Sequence, residues 1–130
     1  MGEQVPTALA EVVRGRAVDR CEYCRIGQSR LSFIPFHIEH VRPRQHGGDD
    51  DPGNLALACH HRNLHKGPNL TAVDPRTRRV VRLFNPRAQR WERHFRLRGA
   101  LIFGLTPVGR ATVDLFRMNA DARVELRSEL

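Results

Sequence analysis

The sequence predicts an α+β protein. Three observations lead there. Apolar residues recur at helical spacing near the N-terminus. Short β-like runs fill 31–41, 54–59 and 79–105. A Thr-Pro pair at 106–107 then opens a second helical pattern. At 130 residues the chain suits one compact domain with a modest core.

The N-terminal helix is expected over 6–19, opened by Pro6-Thr7, with Leu9, Val12 and Val13 on one face. A tight turn follows at Arg20-Cys21-Glu22-Tyr23-Cys24-Arg25. Residues 31–41 read as one strand, bulged at Pro35 because proline cannot donate to a central ladder. Pro43 through Gly53 is a polar loop with Gly47-Gly48 and Asp49-Asp50-Asp51. Asn54 through Cys59 suits a second strand, and His60 to Lys66 a helix stopped by Gly67-Pro68. Asn69 to Pro75 reads as loop. Strands are expected at 79–84, 91–97 and 100–105, together forming a small antiparallel sheet. In the middle one, Trp91, Arg93, Phe95 and Leu97 share a face, with Trp91 and Phe95 packing inward. Thr106 caps a helix to about residue 118, and Asn119 caps a last one to about Arg127.

Charge points to a polyanionic partner. The formal net charge is +8. Residues 1–50 hold seven Arg and seven acids, whereas 51–130 hold fifteen Lys/Arg and seven acids, so the excess lies in the second part. A surface this basic favours nucleic acid. Arg dominance over Lys can reflect base composition, but that does not account for the surplus of positive charge. No apolar run approaches a membrane span of roughly 18 residues, and the first residues lack a signal-peptide pattern. The expected location is cytoplasmic, with no membrane partner. Three cysteines in such a chain suggest a metal clip rather than a disulfide framework.

The densest polar chemistry runs from His37 to Lys66. Its pieces are Cys21-x-x-Cys24, Glu39-His40-Val41-x-Pro43, His46-Gly47-Gly48, Asn54-Leu55-x-Leu57-Ala58-Cys59 and Asn63-x-x-Lys66-Gly67. In this order and spacing they resemble the HNH endonuclease family, over about residues 20–67. The resemblance implies a ββα-metal core with an N-terminal helix, followed by a basic β-sheet and helical extension over about 68–130, the whole forming a single nuclease domain.

It also implies roles. His40 would be the general base, an imidazole suiting water activation near neutral pH; alone, it would more simply be a structural histidine. Glu39 and Asn63 would offer oxygen to a catalytic Mg²⁺ or Mn²⁺. The family usually has Asp where Glu39 stands. Asn54, the middle letter of the motif, would brace the loop around His40. Cys21, Cys24 and Cys59 would hold a structural Zn²⁺, but the expected fourth cysteine is Arg62, which cannot ligate. His60, His61 or His65 would complete the set, with His61 the nearest; or zinc would be absent; or one position would stay open. Arg42, Arg44, His46, Lys66 and Arg87 are the expected phosphate contacts, with the arginine-rich stretch 76–98 as a wider grip on double-stranded DNA. The Asp49-Asp50-Asp51 run is expected to be a solvated loop. A non-catalytic nucleic-acid-binding module on the same scaffold is the alternative. The sequence leaves the oligomeric state open.

Overall fold

The computed structural model describes residues 5–31, 33–66 and 68–128, and only the backbone of 62–64. Helix α1 spans Thr7–Ala17 and ends where Val18 and Asp19 turn left-handed, at φ 55° and 53°. A knuckle follows: Cys21 N–H donates to Ile26 O at 2.9 Å, and Arg25 N–H to Cys21 O at 3.1 Å. Strand β1 (His37–His40) pairs antiparallel with β2 (Leu55–Ala58), His40 facing Leu55 and His37 facing Ala58. Helix α2 (His60–Lys66) comes next. The knuckle is stitched to the other edge of β2: Glu22 N–H donates to Leu57 O, and Leu57 N–H to Glu22 Oε2, each at 2.9 Å. Every residue of β2 is buried, so this central strand is apolar without alternation.

The second part contains β3 (Thr71–Val73) paired with β4 (Val80–Arg82), a helical turn α3 (Trp91–His94), and β5 (Phe95–Arg98) paired with β6 (Leu101–Gly104). Helices α4 (Pro107–Leu115) and α5 (Asp121–Arg127) close the fold. The architecture is α+β, as the patterning predicts.

Several elements differ from expectation. The strand over 31–41 shrinks to 37–40, because the preceding loop folds around Gln28. That side-chain amide accepts from Phe36 N–H and donates to Leu31 O and Ile34 O, replacing a sheet ladder. The stretch 69–75, expected as loop, contains β3. The alternating run at 91–97 begins as a helical turn. Trp91 and Phe95 share a face either way, since a separation of four fits both periods, and both are buried. The single sheet expected from 79–105 is instead two separate hairpins among the described residues, β3–β4 and β5–β6. Asn119 caps no helix; its amide accepts from Ile102 N–H and donates to Ile102 O, extending β6.

One core joins both parts. Tyr23 stands edge-on to Phe84 and Phe116, with centroids 6.1 and 5.4 Å away, and Phe84 meets Phe95 at 5.0 Å. Trp91 Nε1–H donates to Tyr23 O at 2.8 Å.

Asp74 organises the β3–β4 turn. It is 0% exposed, accepts two bonds of 2.9 Å from the Arg110 guanidinium on α4, and also accepts from Arg76 N–H and the Thr77 hydroxyl. The Arg110 hydrogen bonds hold its carboxyl well below the usual carboxylate range. A carboxylate depressed in the folded state stabilises the fold above the unfolded pKa of about 4, and that contribution is lost as pH falls through the lower folded value. Asp74→Asn should therefore lower the Tm at pH 7, and the gap to wild type should shrink as pH is lowered from about 4. Thermal unfolding followed from pH 7 to pH 2 checks this.

Candidate active site and metal platform

His40 ends β1, and its backbone is fixed from the loop side. Val41 N–H donates to Asn54 O at 2.8 Å. The Asn54 side chain accepts from Arg42 N–H at 2.8 Å and donates to Arg42 O at 3.1 Å and Asp49 O at 2.8 Å. One amide thus closes the loop between the two strands. Gly48 permits the closure, since a Cβ there would stand 1.6 Å from Arg42 O. Gly47 takes the left-handed φ of 86° that turns the chain.

The His40 imidazole, itself buried, meets Asp50: Nε2 lies 2.7 Å from Asp50 Oδ1. Arg44 Nη2 donates to the same oxygen at 2.6 Å. Bonds from His40 and then Arg44 hold the Asp50 carboxyl below its ordinary value. The acidic run is therefore not simply solvated. Asp50 bonds the candidate base, Asp51 Oδ1 accepts from Gly53 N–H at 2.7 Å, and Asp49 Oδ1 accepts from Asp51 N–H at 3.1 Å.

Glu39 turns to the other side of β1 and is 7% exposed; its Oε1 accepts from the Tyr23 hydroxyl at 3.2 Å. Asn63 lies on α2, but its side chain, like that of Arg62, falls outside the described residues. Of the expected phosphate contacts, Arg42 and His46 are exposed at the loop surface, and Arg44 sits on Asp50. Lys66 is buried, not on the surface where a phosphate contact was expected. Arg87 is a second correction. Its guanidinium pairs with Glu22, the residue that stitches the knuckle to β2, so it is a structural tie. The other eight arginines between 76 and 98 are exposed.

Cys21, Cys24 and Cys59 converge, all buried, with their sulfurs within 4.8 Å of one another. Cys24 and Cys59 Sγ stand 3.6 Å apart, near the roughly 3.8 Å edge of a tetrahedron with Zn–S of about 2.3 Å. This cluster can bind a metal such as zinc. Burial pushes the Cys21 thiol up to about 11; hydrogen bonds to Cys21 and Cys59, with burial, push Cys24 up as well. A bound cation opposes those shifts by stabilising thiolates.

His61 does not join the cluster. Its Nε2 lies 3.3 Å from Arg117 O and its ring packs on His65, because α2 carries it away from the sulfurs toward the α4–α5 turn. His60 pairs with His37, ring nitrogens 3.0 Å apart. Among the described residues, buried Arg123 of α5 stands beside the cluster, its Nη1 3.7 Å from Cys59 Sγ. Arginine cannot ligate, but its charge would offset the single negative charge of three thiolates holding a dication. Nothing in the sequence linked residue 123 to Cys59; only the helix packing does.

Residues 21–69 match the family model described as HNH endonuclease. The match covers less than half of the chain, and it is this segment that is similar to HNH endonucleases. Neither the curated proteins nor the solved structures compared with the chain gave a match. The knuckle, β1, β2 and α2 all fall within the matched segment, and the β3–α5 extension lies outside it. The match points to a nuclease-type or nucleic-acid-related function for this segment. No helix among the described residues is long and apolar enough to cross a membrane.

Protein purified from zinc-supplemented cells should carry about one zinc per chain by elemental analysis. Cys59→Ser should lose it and lower the Tm, whereas His61→Ala should keep it.

Proposed function

We propose that this protein is a metal-dependent endonuclease that hydrolyses phosphodiester bonds of double-stranded DNA, with His40 as general base. The observation that carries the reading is the His40–Asp50 pair at the end of β1, in a loop closed by Asn54 within the HNH segment. A buried imidazole held by a carboxylate is suited to removing a proton from water attacking phosphorus.

Glu39, with its carboxylate oxygens, and Asn63, with an amide oxygen, are the residues that would hold the catalytic Mg²⁺ or Mn²⁺. Oxygen donors of this kind fit a hard dication, and the Tyr23 hydroxyl would orient the Glu39 carboxylate. When bound, such an ion supplies charge neutralisation at the phosphate and the leaving oxygen. Arg42 and His46, exposed beside His40, would bind the flanking phosphate. The zinc cluster would be structural, supporting β2 and the start of α2. The exposed arginines of the second part would track the DNA backbone, a contact that carries little sequence preference. The 130 residues would act as one nuclease domain, in the cytoplasm.

One observation favours a second reading, a non-catalytic nucleic-acid-binding module. Glu39 is directed inward to Tyr23, and it is one methylene longer than the family's usual Asp.

Incubation with supercoiled plasmid separates the two. Nicked or linear product is expected with Mg²⁺ or Mn²⁺, none with EDTA, and a rate about 10²–10⁴-fold lower for folded His40→Ala. Salt-dependent DNA binding by wild type without cleavage under any divalent ion would establish the second reading instead. Arginine roles separate in the same binding assay. Arg96→Ala and Arg98→Ala should each reduce the salt slope by about one. Arg87→Ala should leave the slope unchanged and lower the Tm.

A further inference from the structure

We propose that Asp50 is a positioning residue for His40, fixing the imidazole as its Nε2–H tautomer so that the lone pair lies on Nδ1; the catalytic part of this proposal rests on the nuclease reading above. Asp50 Oδ1 lies 2.7 Å from His40 Nε2, and an ionised carboxylate only accepts, so the proton of that bond resides on Nε2. Arg44, at 2.6 Å from the same oxygen, keeps the carboxylate charged and turned toward the ring.

The carboxylate is preorganised from both sides. Asp49 O accepts from the Asn54 amide at 2.8 Å, which pins the residue before Asp50. Asp51 caps the turn at Pro52–Asn54 through Gly53 N–H, and Asp51 O accepts from Asn54 N–H at 2.7 Å, which pins the residue after it. The same Asn54 amide holds Arg42, two residues beyond His40. Asn54 therefore sets the base and its orienting carboxylate in one frame. The logic is that of a base oriented by a third group, in which the carboxylate selects the tautomer and stabilises the imidazolium without taking the proton. In the step, the attacking water's oxygen forms the bond to phosphorus, its proton passes to Nδ1, and the P–O bond to the leaving oxygen breaks, with that oxygen taking the electron pair.

Long-range ¹H–¹⁵N spectra of wild type, Asp50→Ala and Asp50→Glu at pH 8, where an ordinary imidazole is neutral, read the tautomer directly. Wild-type His40 should show a protonated Nε2 and a pyridine-like Nδ1; Asp50→Ala should move to a mixture, and Asp50→Glu should restore the wild-type signature in part. In the plasmid assay, kcat should fall about 100-fold in Asp50→Ala with KM little changed, as expected for a displaced catalytic group, and recover partly in Asp50→Glu. Backbone amide spectra confirm that each variant is folded. An unchanged tautomer in Asp50→Ala, or a pyridine-like Nε2 in wild type, overturns the proposal. So does faster cleavage by Asp50→Ala, which would mark the carboxylate as an occupant of the phosphate position. Failure of the nuclease reading shows separately, as no cleavage by wild type while the spectra still report the pairing.

Discussion

The side-chain amide of Asn54 is the constraint on which the candidate site depends. A 14-residue connection between two four-residue strands leaves many backbone groups without ladder partners, and each needs one. Asn54 supplies three bonds at once, to Arg42 N–H, Arg42 O and Asp49 O. The geometry demands a short side chain with both a donor and an acceptor. Without that closure, β1 would still pair with β2, but the His40 ring and the Asp50 carboxylate would have no common frame.

A second frame lies on the other edge of β2. Glu22 exchanges backbone and side-chain bonds with Leu57 and pairs with Arg87 from the second part. Together with the Trp91–Tyr23 bond, this ties the knuckle to the extension. The extension is therefore more than a basic arm. Its α5 brings buried Arg123 to Cys59, and Arg127 donates to Ala100 O and Met118 O, locking the helix against the β5–β6 turn. A positive charge from the far end of the chain is thus set beside the three cysteines.

Much of the HNH segment was legible because its signals are local. The Cys pair with Cys59, the acid–His step and the Asn that opens an apolar run are fixed-spacing features, and the knuckle, β1, β2 and α2 follow them. The second part was read less well. At Trp91–Leu97 the helical and strand periods agree at a separation of four, so the sequence pattern does not distinguish a turn of helix from a strand. At 69–75 the strand is only three residues long, with Ala72 half-buried between exposed Thr71 and Val73, too short for its alternation to stand out. At 31–36 apolar content suggested a strand, while the Gln28 amide offered the backbone a different set of partners.

By itself, the sequence determined the α+β class, the family resemblance over 20–67, the convergence of three cysteines and the surplus of positive charge in the second part. These rest on composition, period and spacing, which are properties of the chain. Only the tertiary structure decided which of the charged residues are spent internally. Arg87 on Glu22, Arg123 beside Cys59, Arg110 on Asp74, and Asp50 on His40 join residues far apart in sequence or hidden within a charged run. The physical reason is that a charge's role depends on what packs against it. A sequence shows which residue carries the charge, and packing determines whether it meets water, a phosphate or a partner in the core.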